Sequence, residues 1–173
     1  MESGELTLTR GVADLARDLS LLELNDLWKI QLVLATYTRA MDRRAGKDVV
    51  ALFAPDGVTE IYWNNAGVLK AVAGPLDRDS IAHMVEKRLR LHASGVWGHH
   101  VPSDPIIELS GDTATVSLQL IVLHSEANRE PQGAGQSAGR IEVSQTGYYE
   151  VEMKRHDRRW WIARLRVVLD LPL

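Results

Sequence analysis

Beginning at Leu24, the apolar positions Leu27, Ile30, Leu34, Tyr37 and Met41 recur at steps of three and four, the spacing of a helix that buries one face. Asn25 can cap its start and Gly46 can stop it. Upstream, residues 12–22 read as a shorter helix or arm, and Gly11 with its polar surroundings favours a frayed end. A helical turn over 47–53 leads into Ala54-Pro55-Asp56-Gly57, which reads as a turn, and then into a strand over 58–63 rich in β-branched and aromatic residues. Asn64-Asn65-Ala66-Gly67 predicts a hairpin turn into 68–72. Asp79 or Ser80 can cap a third helix carrying Ile81, Met84, Val85 and Leu89, ended by Gly95.

From Val96 onward the pattern shortens to the period of strands. One begins at Val96, turns at Ser110-Gly111-Asp112 and resumes at Thr113, and two more cover 141–153 and 160–169. Helices first and a long antiparallel meander afterwards predict the α+β class. The segment 125–139, SEANREPQGAGQSAG, is too weakly apolar to pack and reads as a mobile loop; it lacks the Gly-Lys-Ser/Thr ending of a phosphate loop. With no internal repeat and no change of composition, residues 1–173 form a single domain.

Composition narrows the function classes. Hydrophobic residues at 45% and charged residues at 25% describe an ordinary globular chain. A net charge of -3, with Lys and Arg spread among acids, removes the electrostatic driver of nucleic-acid binding. The absence of cysteine excludes thiol nucleophiles and thiolate metal sites and fits a reducing compartment. The charged N-terminus lacks the apolar run of a secretory signal, and no run of about 18 apolar residues occurs, so no membrane partner and a cytoplasmic location are expected.

Candidate chemistry follows from the strand periods. In 113–124, Ala114, Val116, Leu118, Leu120, Val122 and His124 share one face, which puts His124 at the end of a core-facing row. In 96–101, Val96, Gly98 and His100 oppose Trp97, His99 and Val101, so one of two adjacent histidines points inward. His99, between Trp97 and Val101, is assigned that role, with His100 the alternative. Asp42 lies one residue beyond the apolar stripe of the long helix, where a carboxylate is costly unless partnered. If that helix crosses the sheet, Asp42, His99 and His124 converge. An Asp-His pair is a general base: the carboxylate fixes the tautomer and steadies the imidazolium. The blander alternatives are a solvated carboxylate at a helix end and a histidine that is merely core. Two histidines and an aspartate could in principle hold zinc, yet no zincin pattern occurs and adjacent strand histidines diverge, so neither metal nor cofactor is expected. Gly135-Gln136-Ser137-Ala138-Gly139 has the letters of a nucleophile elbow without a flanking buried strand. Tyr62, Trp63, Trp97, Tyr149 and Trp160 supply aromatic surface for an apolar cavity or for plain core.

Three stretches resemble scytalone dehydratase, the hexachlorocyclohexane dehydrochlorinase and the SnoaL-like proteins of the nuclear transport factor two superfamily, over about Leu24 to Leu169. They are Tyr37-Thr-Arg-Ala-Met-Asp42 followed by Phe53-Ala-Pro-Asp-Gly57, Gly98-His99-His100-Val101 leading to Pro105 and the Gly111-Asp112 turn, and Leu118-Gln-Leu-Ile-Val-Leu-His124. The closing piece, Gly147-Tyr-Tyr149 through Trp160-Trp-Ile162, is similar to the superfamily's last hairpin. The resemblance implies a cone-shaped α+β barrel, N-terminal helices in the concave face of a strongly curved, mostly antiparallel sheet. It makes Asp42 the dyad carboxylate, His99 the catalytic histidine and His124 a second pocket histidine. Tyr37, Met41, Tyr62, Trp97, His100, Leu120 and Tyr149 then fall around the substrate. The expected activity is a cofactor-free lyase or isomerase acting on a small, largely apolar cyclic, polyketide-, terpenoid- or steroid-like molecule by proton abstraction, with dehydration, dehydrohalogenation and cyclisation as variants. The alternatives are a small-ligand-binding module of the same fold, or an epoxide hydrolase using Asp-Arg-Asp, for which Arg39, Arg164 and Arg166 are present. Relatives assemble as trimers or dimers, and a homo-oligomer is expected. Met41 stands where scytalone dehydratase has a tyrosine before its dyad aspartate, and the tyrosines that hold its catalytic water are not clearly reproduced, which departs from that enzyme's substrate chemistry.

Overall fold

The computed structural model describes residues 18–89, 95–127 and 139–171. Its first helix, α1 (Leu21–Asp42), starts ahead of the expected Asn25 cap because a stronger device precedes it. The Ser20 hydroxyl accepts from the Glu23 backbone N–H at 3.2 Å, and the Glu23 carboxylate accepts from the Ser20 backbone N–H at 2.9 Å, a reciprocal capping box. Most of the arm expected over 12–22 lies outside the described residues; Leu21 and Leu22 belong to α1. The helix ends at Asp42, where Arg44 turns left-handed at φ 57, rather than at Gly46. Gly46 opens α2 (Gly46–Val50) instead, and a Cβ there would meet the Ala82 carbonyl oxygen at 2.6 Å. Glycine is needed at this point for close approach, not for termination.

Strand β1 (Phe53–Asn65) absorbs the expected Ala54–Gly57 turn as an irregularity: Phe53 pairs with Ile162 and the next pair is Val58 with Arg164. Ala66 and Gly67, at φ 54 and 88, form a two-residue hairpin into β2 (Val68–Leu76), as the Asn-Asn-Ala-Gly run predicts. The cap of α3 (Arg78–His83) is Asp77, whose side chain accepts from the Ser80 N–H at 2.8 Å, and a π turn over Met84–Arg88 continues it. The stop expected at Gly95 follows residues outside the described set. Four long strands complete the chain: β3 (Val96–Ser110), β4 (Thr113–Ala127), β5 (Gly139–His156) and β6 (Arg159–Leu169). Residues 125–127 and 139 of the expected loop are therefore strand, and 128–138 lie outside the described residues.

The six strands form one curved sheet in the order β2-β1-β6-β5-β4-β3, antiparallel except between β1 and β6. The α1 stripe of Ile30, Leu34, Tyr37, Ala40 and Met41 is buried in one cluster with Leu118 and Leu120 of β4, Tyr149 and Met153 of β5, and Leu165 of β6. Each such side chain, fully buried, contributes roughly 1.5–3 kcal/mol, so this stripe is what holds α1 across the concave face. A polar clamp fixes the helix's other end. Buried Asp26 accepts from the Trp160 indole N–H at 3.0 Å and pairs with the Arg155 guanidinium. On the outer face, Trp97, Val101, Ile121, Val143 and Tyr148 are exposed apolar side chains of β3, β4 and β5.

Candidate active site

The last residue of α1, Asp42, is buried against β3. One of its oxygens, Oδ1, accepts from the backbone N–H of His100 at 2.8 Å and lies 2.7 Å from that residue's Nδ1. Burial by itself raises the Asp42 carboxyl, but the side-chain and backbone hydrogen bonds from His100, helped by the nearby charges of His100 and His99, hold it below its ordinary value. Asp42 is thus an ionised acceptor, which requires His100 to carry a proton on Nδ1; in the neutral ring the lone pair is then on Nε2.

This geometry corrects the choice between the adjacent histidines. His100 is the inward one; His99 stands with its side chain 53% exposed, its Nδ1 3.8 Å from Asp42 Oδ2. The cause is a bulge in β3. From the Ser110↔Thr113 turn the pairing runs in even register to Ile106↔Ser117, and that register, continued, would set His99 opposite inward-facing His124. Between Ser103 and Ile106 one extra residue enters β3, where Asp104 adopts φ 51, and every position beyond changes face. Gly98 therefore faces His124, His100 faces Val122, and Trp97, His99 and Val101 turn outward.

A cavity of about 870 Å³ opens in front of His100. Of the positions singled out from sequence, Tyr37, Met41, His100, Leu120, His124 and Tyr149 line it. Trp97 does not; it sits on the outer face with its ring 6.5 Å from that of His99. Tyr62 does not either: Thr59 and Ile61 are the β1 residues on the wall, and the Tyr62 ring lies under the Arg166 guanidinium, 5.3 Å from centroid to carbon. The arginines required by an epoxide-opening Asp-Arg-Asp set are also elsewhere. Arg39 is exposed, and Arg164 and Arg166 form ion pairs with Glu60, Glu150 and Glu152.

Tyr37 and Tyr149 form an edge-to-face pair at 5.8 Å and share a side-chain hydrogen bond. Burial raises both phenols; Tyr149 is raised further by Tyr37 and by the negative charge of Asp42, whereas the bond to Tyr149 partly offsets the rise at Tyr37. Both stay protonated at neutral pH and can only act as neutral hydrogen-bonding groups. Residues that the sequence patterns did not single out also reach the cavity: Thr59 and Ile61, Arg44 beside the dyad, and His83 of α3; Ser80, read only as a candidate helix cap, reaches it too. The two β1 positions were accessible from the period-two pattern of that strand; the α3 residues depend on where the helix docks. Burial lowers the Arg44 guanidinium and Asp42 partly restores it, while the guanidinium donates to the Met41 carbonyl at 3.1 Å. Among the described residues no group of three or more His, Asp or Glu is placed to hold a metal ion, and no helix is long and apolar enough to cross a membrane.

The profile of the SnoaL-like domain matches residues 22–166. The chain belongs to the SnoaL-like domain family. Among curated proteins none matches its sequence. Solved structures share its fold at low identity. A Mycobacterium tuberculosis protein of unknown function is 21% identical, covers 94% of this chain and 78% of its own, and superposes with a TM-score of 0.59. The beta subunit of a candidate aromatic-ring-hydroxylating dioxygenase from Novosphingobium aromaticivorans is 13% identical with a TM-score of 0.67, over 88% of this chain and 94% of its own. A scytalone dehydratase candidate from the same organism is 17% identical with a TM-score of 0.59, over 87% of each chain. A Nostoc punctiforme protein of unknown function is described as having a cystatin-like fold. At these identities the likeness is one of fold, and this SnoaL-like chain has the cystatin-like cone of α-helices in a curved sheet.

Proposed function

We propose that this SnoaL-like protein is a cofactor-free lyase or isomerase in which His100, oriented by Asp42, abstracts a proton from carbon beside an activating group. The reading is carried by one observation: the 2.7 Å Asp42–His100 contact, with His100 on the wall of a largely apolar cavity. The C–H electron pair moves toward the activating carbonyl as the proton passes to Nε2, and the imidazolium, stabilised by Asp42, returns that proton to a departing oxygen or to another carbon. His124, which also lines the cavity, polarises the oxygen or assists the leaving group in this reading. Tyr37 and Tyr149, kept neutral, can stabilise developing negative charge without competing as bases. The scytalone dehydratase candidate among the fold relatives is consistent with elimination of water.

The test is exchange of the α-protons of 2-tetralone for deuterium, followed by proton NMR. Catalysed exchange is expected from the wild-type protein and should fall by about 100-fold or more in Asp42→Asn and in His100→Gln, as for loss of a positioned base. His99→Ala should retain it. Exchange that survives both dyad substitutions, or that disappears only in His99→Ala, would overturn the assignment. Saturable binding of 2-tetralone with no exchange by the wild type would leave the cavity a ligand-binding site.

A further inference from the structure

We infer that the Arg44 guanidinium balances the negative charge of the enolate formed when His100 takes a proton, an inference that rests on the proposed use of the dyad as a base. Among the described residues, Arg44 is the one lysine or arginine on the cavity wall. Its backbone is left-handed, at φ 57, in the turn that closes α1, where glycine or asparagine sits with less strain. The half-buried side chain donates from Nη1 to the Met41 carbonyl at 3.1 Å. Capping alone does not ask for an arginine there, since an asparagine makes the turn and water satisfies the last carbonyls of an ordinary helix. What arginine adds is a permanent positive charge on the wall of a largely apolar chamber, two residues from Asp42. Burial lowers that guanidinium and Asp42 partly restores it, so the two charges act on each other.

The proposed reaction changes what this cation faces. At the start Asp42 is ionised, His100 is neutral as a base must be, and Arg44 offsets the carboxylate. When the C–H bond breaks, its proton goes to His100 Nε2 and its electron pair to the carbonyl oxygen of the ligand. The ring is then an imidazolium whose Nδ1 lies 2.7 Å from Asp42 Oδ1, and the carboxylate is offset by the ring instead. The Arg44 charge passes to the enolate with the total charge unchanged. An attraction that strengthens only as charge develops favours the transition state over the bound ketone. Tyr37 and Tyr149 can give that oxygen hydrogen bonds but no charge. The other carboxylate on the wall, Asp79, is exposed, so water and salt screen it.

The test uses 2-naphthol, the aromatic counterpart of the 2-tetralone enol, at a pH where the free compound is protonated. Its ionisation when bound to wild-type protein, Arg44→Asn and Arg44→Lys is read from near-ultraviolet absorbance. The ratio of bound naphtholate to bound naphthol should be about ten-fold or more higher in the wild type than in Arg44→Asn, the effect of one nearby opposite charge on an ionisation. Arg44→Lys, which keeps the charge, should keep most of the ratio. Affinity for neutral 2-tetralone should be unchanged in Arg44→Asn, a variant that suits the left-handed backbone. Placing Arg44→Asn in a His100→Gln background should change the ratio less, because without an imidazolium Asp42 still offsets Arg44. A ratio unaltered in Arg44→Asn, or lost equally in Arg44→Lys, would overturn the inference, and would leave the proposed reaction standing if 2-tetralone exchange still depends on Asp42 and His100. Exchange that survives both dyad substitutions would overturn that reaction, and the inference with it.

Discussion

At the residue scale, the central object is one carboxylate oxygen receiving both the backbone N–H and the ring Nδ1 of His100. The same contacts make folding depend on acid. A carboxyl held below its ordinary value of about 3.9 binds protons less readily in the folded protein than in the unfolded chain. Its contribution to stability is complete above that value and is lost as pH falls toward the depressed folded value. The gap in unfolding free energy between wild type and Asp42→Asn, from urea titrations, should shrink as pH falls below about 4. A gap unchanged at the lower pH would show that Asp42 is not held ionised by His100. Tyr37, Met41, Leu120 and His124 were legible from helical or strand period, Asp42 from its place one residue past the helical stripe, and Tyr149 from the family resemblance. The histidine choice was not, because the facing of His99 and His100 is decided at Asp104, several residues away, by a bulge that strand period does not register. Trp97 shares the face of His99 and was misplaced with it.

At the scale of elements, the cavity depends on how closely β5 and β6 approach where Gly147 pairs with Leu120 on one side and Leu169 on the other. A Cβ at Gly147 would lie 1.9 Å from the Val168 carbonyl oxygen, a distance no side chain tolerates. Gly147→Ala must part the two strands and should destabilise the protein by about 1–3 kcal/mol or more, seen as a lower urea midpoint. An unchanged midpoint would mean that this close approach is not needed. The helix stripe, the Ala66-Gly67 hairpin and the β3–β4 turn were readable from local chemistry. The α1 start was misjudged because Asn25 and the Ser20–Glu23 pair are both capping chemistry, and only the latter is reciprocal. The Ala54–Gly57 segment has turn composition yet lies within β1, flanked by the pairs that Phe53 and Val58 make with β6 more than a hundred residues away. Its fate belongs to tertiary contacts.

At the scale of the molecule, the curved sheet packs on α1 and brings the end of that helix against β3, where the dyad forms, and β1 supplies Thr59 and Ile61 to the cavity wall. Fold class followed from the order of helices and strands, and the family match over residues 22–166 agrees with it. The volume of the cavity and the membership of α3 in its wall did not follow, since both depend on how the elements dock. What the whole assembly is proposed to deliver is a base whose lone pair faces an apolar chamber. The most direct test is the protonation of the His100 ring at neutral pH, read by nitrogen NMR of histidine-labelled protein, with His100→Gln to assign the signal. The account predicts that the neutral ring is in the Nδ1–H form, with loss of that preference in Asp42→Asn. A neutral ring protonated on Nε2 in the wild type, or a ring indifferent to Asp42→Asn, would contradict it.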